Sequence, residues 1–387
     1  MDIYDSSYFI YNKTFCKMLG IWPFDCKKKK YLIRMWPFIA MILFVIPHAI
    51  GMMVHRSNID RFMEHGCLAV FILVVLLKLI TVFITEEKIK LMLNGVVINW
   101  QSIRDEEEIN ILKKYSERGR KLTIGYFLYM FGCTILFVFL PLTPVVINKL
   151  RPSAEPLPLL HLTNAEFLVD RSDHYWKCYS WDLATTAVTA LIVVVVDTLF
   201  AVCVEHCVGL FTIVKYRLQR PNGLSCDENG DDEVSYHLMV ETIKLYQVSL
   251  RFAITLETAY SSCFIIIMIC NLIIIPLICI MIIMNANETV QLIRWVMVYL
   301  GLAMHLFYLC LAGQKIIDYS ADLFSDSYYN EWYKGSRRTK ILLKFFMLRC
   351  TQPAMLTAGG LMTMGMETYL AIMKTALSYI TVLSSFR

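Results

Sequence analysis

Charged side chains are scarce in this sequence. Asp, Glu, Lys and Arg make up 18% of its 387 residues, while 57% are hydrophobic and the mean hydropathy is +0.54. Soluble domains carry roughly a quarter charged residues. The shortage of charge excludes an ordinary soluble domain and predicts an all-α, polytopic membrane protein. The net charge of +5 does not indicate a nucleic-acid partner, because membrane topology explains where the basic residues lie.

The sequence also lacks the patterns on which catalysis depends. It contains no Ser/His/Asp set, no paired-carboxylate site and no glycine-rich phosphate loop. Gly359, Gly360 and Gly365 do not follow a predicted strand, so they indicate a break or a close-packing point in the last apolar run. We therefore expect neither an enzyme nor a bound cofactor.

Two further features of secreted proteins are missing. The 13 cysteines are odd in number and lie mostly in apolar runs or in segments predicted to be cytosolic, so we expect no disulfide framework. The first apolar run begins only after residue 34, so we expect no cleavable signal peptide.

One group of soft metal ligands lies on a single helical face. Cys203, His206 and Cys207 are spaced i, i+3 and i+4, which could begin a zinc site. A fourth ligand is not visible in the sequence. Ordinary helix packing is the favoured interpretation, and no metal is expected.

Seven apolar runs account for most of the chain. They cover residues 36–53, 67–84, 122–147, 183–214, 252–284, 290–312 and 353–386. A bilayer core needs only about 20 helical residues, so the fourth, fifth and seventh runs must tilt or project beyond the membrane. Pro47 interrupts the first run and Pro276 is expected to kink the fifth. Residues 85–120 are charged, but their apolar side chains recur at helical spacing and predict a packed helix.

The distribution of Lys and Arg predicts the orientation. Of the 37 basic residues, 27 lie in residues 1–35, 86–121, 215–251 and 313–352, while seven lie on the other side, in residues 54–66 and 148–182 and at Arg387. Lys and Arg accumulate in cytosolic loops. The N-terminus is therefore predicted in the cytosol and the C-terminus outside the cell.

The last apolar run carries one narrow polar stripe. Glu367, Lys374, Ser378, Thr381 and Ser385 fall within roughly 40° of one direction when residues advance by about 100° along a helix. Such a stripe either contacts a protein partner or lines a path for water and ions, and the sequence alone leaves both possibilities open.

Other ionisable residues lie inside apolar runs, where they usually face the bundle interior. For Asp197 and Glu257 we favour helix–helix hydrogen bonding over ion conduction. Lys78 lies inside the second run.

A small-molecule pocket needs apolar walls with few polar groups. The candidates in the outer halves of the spans are Phe71, Val74, Leu136, Phe137, Phe139, Thr185, Thr189, Trp295 and Tyr299. Each of them also suits plain bundle core.

Several blocks of the sequence resemble the insect odorant receptor family, of the type found in bees, wasps and ants. They are the Asn99-Trp100 pair with KKYSERGRK, VEHCVGLFTIVKYRL, SLRFAITLETAY, GQKIIDYS, YYNEWY and the C-terminal LRCTQPAMLTAGG followed by SYITVLSS. The C-terminal block is the most specific, and the resemblance covers nearly the whole chain.

The resemblance implies a seven-helix subunit of a tetrameric, ligand-gated, non-selective cation channel in the plasma membrane of a sensory dendrite. The ligand-tuned subunit would assemble with a shared co-receptor and detect a small hydrophobic semiochemical. It implies four parts: a cytosolic segment 1–35, six membrane helices with the ligand pocket in 36–312, a cytosolic anchor 313–352 and a pore-lining helix in 353–387. The family's hydrophobic gate falls on Val382 and Phe386, beside Ser378, Thr381 and Ser385.

Two other classes remain open at this point. A metabotropic seven-helix receptor would place its C-terminus in the cytosol, against the charge distribution. A small-molecule transporter often shows internal repeats, and none is visible here.

Overall fold

Long helices make up most of the chain, as its hydropathy predicts. The computed structural model describes residues 3–151, 157–167, 171, 173–220, 232–329 and 332–385, with the backbone alone for residues 60, 232, 334, 380 and 382–385. The helices in these ranges are α1 (Ile10–Met18), α2 (Lys27–Val54), α3 (Ile59–Ile84), α4 (Glu86–Ser102), α5 (Glu106–Phe139), α6 (Thr143–Leu150), α7 (Tyr175–Gln219), α8 (Asp232–Met284), α9 (Thr289–Tyr329), α10 (Arg337–Cys350) and α11 (Met366–Ser385). Two short strands, β1 (Thr357–Ala358) and β2 (Met362–Thr363), pair between α10 and α11.

Side-chain caps fix where several helices begin. Asn58 accepts a hydrogen bond from the backbone N–H of Arg61 at the start of α3 (3.2 Å). Asp105 accepts from the N–H groups of Glu107 and Glu108 at 3.0 and 3.4 Å. Such caps satisfy N–H groups that have no partner in the first turn. The Asp105 cap therefore divides the charged segment 85–120, which the sequence predicted as one helical unit, into α4 and the start of α5.

Six helical segments in the described ranges are long and apolar enough to cross a membrane. They are α2, α3 from Arg61, α5 with its continuation through α6, α7, α8 from Glu233, and α9. They contain the first six predicted spans, so the chain is a multi-pass membrane protein. α11 has 20 residues, which is enough length, but its polar stripe makes it less apolar. That α11 forms a seventh span stays a prediction.

Three helices extend well beyond the apolar runs that predicted them. α7, α8 and α9 contain 45, 53 and 41 residues, whereas a bilayer core is only about 30 Å thick, or about 20 residues. They must project from the membrane. α2 and α8 also continue through Pro47 and Pro276. The predicted interruption at Pro47 is wrong, because neighbouring helices in a bundle can support the backbone across a proline.

α7 lies at the centre of the bundle. Every side chain from Ile192 to Phe211 is buried, and the helix packs against α2, α3, α5, α8 and α9. A helix that is apolar on all faces belongs in the interior. At its far end, Arg217 donates two parallel hydrogen bonds to Glu108 of α5 (2.6 and 2.8 Å), a paired geometry that adds strength and direction.

The segment before α11 is a β-hairpin rather than a simple helix break. Thr357 pairs with Thr363 and Ala358 with Met362 in antiparallel register. Gly359 and Gly360 form the turn with φ of 61° and 70°, a left-handed region that glycine enters without steric cost. The expectation that these glycines follow no strand is therefore wrong. Two-residue strands give no readable alternation in a sequence, which explains the error.

The hairpin is held by α8 and α9. Glu257 of α8 accepts hydrogen bonds from the backbone N–H (3.2 Å) and the hydroxyl of Thr357, and Ser261 accepts from the N–H of Gly359 (2.9 Å). The predicted hydrogen bonding of Glu257 is thus present, but its partner lies in the hairpin and not in another helix. On α9, Gln314 accepts from the N–H of Met366 at 3.0 Å and caps α11.

Gly313 of α9 allows the hairpin to approach this closely. A Cβ atom at this position would overlap the carbonyl oxygen of Met364 and lie 2.8 Å from the Met364 Cβ. The contact therefore depends on the absence of a side chain, and it fixes the distance between α9 and the start of α11.

We expect Gly313→Ala to destabilise the protein by roughly 1–3 kcal/mol, because the added methyl group must displace backbone atoms. The measurement is the thermal unfolding midpoint of the purified chain. Gly301→Ala on the same helix is the control, since a Cβ there meets nothing within 4 Å and alanine favours helices. A Gly313→Ala protein that melts at or above the wild-type temperature would contradict the packing argument.

Candidate functional site: an apolar cavity and the helix connected to it

A cavity of about 180 Å³ lies inside the bundle between α2, α3, α5, α7, α8 and α9. Its wall is mostly apolar and includes Phe44, Leu68, Phe71, Ile72, Val74, Val75, Met130, Phe137, Val193, Ile274, Ile278, Trp295, Val298 and Leu302. The polar members are Lys78, Thr134, Thr163, Thr186, Thr189, Asn271 and His305. An apolar protein cavity of about 150 Å³ is able to bind benzene, so this space suits a small organic molecule.

The cavity is elongated along the bundle axis. On α3 its wall extends from Cys67 to Lys78, and on α9 from Trp295 to His305. Eleven residues of helix correspond to about 16 Å. Because α3 and α9 both begin at the predicted outer side, Cys67 and Trp295 mark the outer end of the cavity and Lys78 and His305 mark its inner end.

Five of the nine predicted pocket residues come together in this wall. They are Phe71, Val74, Phe137, Thr189 and Trp295, contributed by four different helices. This arrangement places side chains that are far apart in sequence around one volume.

The other four do not line it. Leu136 and Phe139 are 63% and 60% exposed, because they point away from Phe137 on the outer face of α5. Thr185 is buried, and its hydroxyl donates to the carbonyl of Trp181 at 2.9 Å, while the adjacent Thr186 lines the cavity. Tyr299 packs against the core one residue beyond Val298. The segments that the sequence analysis named border the cavity, but the helical phase of each segment decides which side chains face it.

The inner end of the cavity is formed by a buried polar network. Lys78 is 2% exposed and forms an ion pair with Asp197 of α7, itself 1% exposed. Tyr126 of α5 donates to Asp197 at 3.1 Å. The Nε2 atom of His305 lies 3.1 Å from Asp197 and 3.2 Å from the Lys78 ammonium. The predicted helix–helix bonding of Asp197 is confirmed, and it joins α3, α5, α7 and α9.

The polar wall also contains residues that the sequence analysis did not identify. They are Thr134, Thr163, Thr186, Asn271 and His305. Lys78 and Asp197 carried a usable signal, since opposite charges in two apolar runs are expected to pair. A single histidine or asparagine in an apolar run gives no such indication. Asn271 donates from its amide nitrogen to the carbonyl of Ile267 (2.8 Å), which leaves its oxygen without a partner among the described residues.

Residues 157–167 pack over the outer end. Thr163 lines the cavity and donates from its N–H and hydroxyl to Asp182 (3.2 and 3.1 Å). The neighbouring Asn164 bonds Glu64 at 2.7 and 2.8 Å, and Glu64 pairs with Arg294. Burial lowers the pKa of His161 to about 4, so this ring adds no charge to the segment near neutral pH.

α11 lies against α8 and α9 with its polar stripe turned away from them. Glu367, Lys374, Ser378 and Thr381 are all exposed. The buried residues Ile372 and Ala376 follow Glu367 by five and nine positions, about 140° and 180° around the helix. The stripe is thus not used for packing against α8 and α9, and it can face water or another subunit.

The structure describes only part of the predicted gate. Val382 and Ser385 belong to the backbone of α11, but their side chains lie outside the described residues, as does Phe386 altogether. Ser378 and Thr381 donate to the carbonyls of Lys374 and Ser378 at 3.0 and 2.9 Å. These bonds use the hydroxyl hydrogens, so the two groups present acceptor oxygens at the helix surface.

Cys203, His206 and Cys207 lie away from the cavity, in the packed centre of α7. The Nε2 atom of His206 lies 3.2 Å from the amide nitrogen of Asn99, and its ring packs on Phe252. Cys207 lies 3.9 Å from the carbonyl of Ser249. These contacts join α7 to α4 and α8, which agrees with the packing interpretation.

Comparison with known proteins gives matches in both sequence and fold. Residues 58–377 match the family described as 7tm Odorant receptor. Odorant receptors 22a and 22b of Drosophila melanogaster are 34% and 30% identical over 84 residues, which cover 22% of this chain and 21% of each of those proteins. The sequence match thus spans about a fifth of the length of these curated relatives.

Two solved structures share the fold. They are two structures of the insect olfactory receptor OR5 from Machilis hrabei, one of them in complex with eugenol. The complex with eugenol has a TM-score of 0.74 at 13% identity and covers 99% of this chain and 100% of the solved chain. The other structure has a TM-score of 0.77 at 14% identity and covers 98% of each chain. The bundle is therefore shared with these receptors across almost its full length. Since the family match extends over most of the sequence, this chain belongs to the 7tm odorant receptor family.

Proposed function

We propose that this chain is the ligand-tuned subunit of an odorant-gated, non-selective cation channel in the plasma membrane of sensory neurons. The observation that carries the proposal is the apolar cavity inside the bundle, because the helices that form its wall also hold the start of α11. Membership of the odorant receptor family supports the same function.

The ligand is a small hydrophobic semiochemical bound in the cavity. The size of the cavity, about 180 Å³, and its aromatic and aliphatic wall suit one ring or a medium-length chain. The structurally similar receptor from Machilis hrabei is described in complex with eugenol, a molecule of that class. Of the predicted pocket residues, Phe71, Val74, Phe137, Thr189 and Trp295 are proposed to contact the ligand, and Leu136 and Phe139 are proposed to face lipid.

The pore is formed by α11 from each of four subunits, at least one of which is a shared co-receptor. In this arrangement residues 313–352 form the cytosolic anchor, the N-terminus is cytosolic and the polar stripe of α11 lines the conducting path. The exposure of Glu367, Lys374, Ser378 and Thr381 supports this role, since a stripe buried within the chain could not line a pore.

Ligand binding reaches the pore through α8 and α9. These helices contribute Asn271, Ile274, Trp295 and His305 to the cavity wall. Further along, the same helices hold the hairpin through Glu257 and cap α11 through Gln314. A ligand that fits the cavity better in one arrangement of α8 and α9 shifts α11 toward that arrangement, by its difference in affinity for the two states.

Val382 and Phe386 form the closed gate, and Ser378, Thr381 and Ser385 line the open path. On an ideal helix Val382 and Phe386 lie about 60° and 100° from the polar stripe. A rotation of α11 would exchange the apolar residues for the polar ones at the pore axis. Narrow apolar constrictions close by dewetting, and a polar lining admits water.

Expression in a cell line without endogenous receptors tests the function directly. With a co-receptor subunit, we expect at least one small hydrophobic compound of a broad odorant panel to evoke an inward cation current. The co-receptor alone is the control for each compound. If compounds bind this chain and are taken up without current, a transporter is the better description.

A C-terminal epitope tag tests the orientation. The distribution of Lys and Arg leads us to expect that antibody labels this tag on intact cells and labels an N-terminal tag only after permeabilisation. A metabotropic seven-helix receptor would give the reverse labelling. That result would overturn both the orientation and the pore assignment of α11.

The gate assignment is tested with Val382→Ser combined with Phe386→Ser. We expect the basal current to rise several-fold relative to the ligand-evoked maximum, because the apolar constriction is replaced by a wettable one. Leu361→Ser is the control, since Leu361 is exposed in the hairpin turn outside α11. Unchanged basal and evoked currents in the double variant would exclude these residues as the gate.

A further inference from the structure

We propose that the cavity selects uncharged ligands with one oxygen group, which binds at the inner end and accepts a hydrogen bond from Lys78. Alcohols, ketones and esters with an apolar chain or ring belong to this class. The inference rests on the proposed function, because it takes the cavity to be the ligand site.

The position of Lys78 is the first support. Lys78 and His305 are the innermost wall residues of α3 and α9, while the wall toward the outer end is largely apolar. A ligand with one polar end and one apolar end therefore has a single favourable direction in the cavity. Its oxygen points inward and its hydrocarbon part lies against Phe71, Val74 and Trp295.

The second support is the count of hydrogen-bond donors on Lys78. Its ammonium group carries three N–H bonds. Asp197 takes one, and the His305 ring takes at most one more, depending on its tautomer. Among the described residues no other group accepts from Lys78. At least one donor therefore remains at the inner end, and a buried donor without a partner is unfavourable.

Asn271 adds a second unsatisfied group at a similar depth. It lies 13 residues before the end of α8 at Met284, and His305 lies 16 residues after the start of α9 at Thr289. A short turn joins the end of α8 to the start of α9, so both counts begin at the same end of the bundle. The two residues therefore differ by only about 5 Å along the axis. The Asn271 oxygen has no partner among the described residues. A hydrocarbon would leave the Lys78 donor unsatisfied, whereas a hydroxyl or carbonyl oxygen can accept a hydrogen bond from it.

The buried charges at the inner end explain why the oxygen group of the ligand should be neutral. Lys78 and Asp197 form a pair of opposite charges that is almost fully buried. A carboxylate ligand would compete with Asp197 for Lys78 and bring a further anion into apolar surroundings, which is strongly unfavourable. A cationic ligand would be placed beside the Lys78 ammonium. A neutral oxygen uses the remaining N–H without adding charge.

The test compares four eight-carbon compounds on the purified full-length chain in lipid nanodiscs: 1-octanol, 2-octanone, octane and octanoate. Apparent Kd is obtained from the concentration dependence of the thermal unfolding midpoint. One hydrogen bond to a charged donor corresponds to roughly tenfold in Kd, so we expect 1-octanol and 2-octanone to bind about tenfold more tightly than octane or octanoate.

The matched variant is Lys78→Met combined with Asp197→Asn. It removes the cation without leaving an unpaired buried charge, and the amide oxygen that replaces the Asp197 carboxylate can still accept from Tyr126. We expect the preference for the oxygenated compounds over octane to fall to within about twofold. Val74→Ala is the control in the apolar wall, which should change the affinities of 2-octanone and octane by the same factor.

Three results would overturn the inference: octane binding as tightly as 2-octanone, octanoate binding more tightly than either neutral oxygenated compound, or no binding by any of the four. If the double variant does not fold, the wild-type order of affinities still decides. The proposed function fails separately: an oxygen preference in nanodiscs with no current in cells would retain the ligand class and reject the channel.

Discussion

The buried pair of Lys78 and Asp197 constrains most of this structure. Charges cannot be left alone in an apolar interior, so α3 and α7 must lie together at the depth of these residues. Tyr126 and His305 bring α5 and α9 to the same point. The cavity ends there, and four helices are held in register around it. Removing one partner would leave the other unsatisfied, which makes this network a fixed floor for the cavity.

A small number of polar contacts also connects the cavity helices to α11. α8 and α9 are largely apolar where they form the cavity wall, and beyond it they hold the hairpin with polar side chains, at Glu257, Ser261 and Gln314. The turn of this hairpin requires glycine, and its approach to α9 requires Gly313. In the proposed channel, a movement of either helix would reach the start of α11 through these hydrogen bonds and this backbone contact.

The polar stripe of α11 lies on the face of the helix that does not pack against the bundle. Ile372 and Ala376 fix the helix against the bundle, and the residues on the opposite face are polar or ionisable. In a single chain within a bilayer such a face would meet lipid, which is unfavourable for charged side chains. In the proposed channel it meets the pore and the neighbouring subunits, which explains why one face of an otherwise apolar helix carries Glu367, Lys374 and several hydroxyl groups.

The sequence by itself determined the class of the protein, the first six spans, the polar stripe and the segments that surround the cavity, because hydropathy and helical period act locally. It also predicted that Asp197 bonds to another helix. It could not predict the phase that turns Phe137 inward and Leu136 outward, the hairpin at Gly359, or the meeting of Lys78 with His305. Those features depend on which helices become neighbours, and only the tertiary structure decides that, since side chains more than 200 positions apart must share one buried volume.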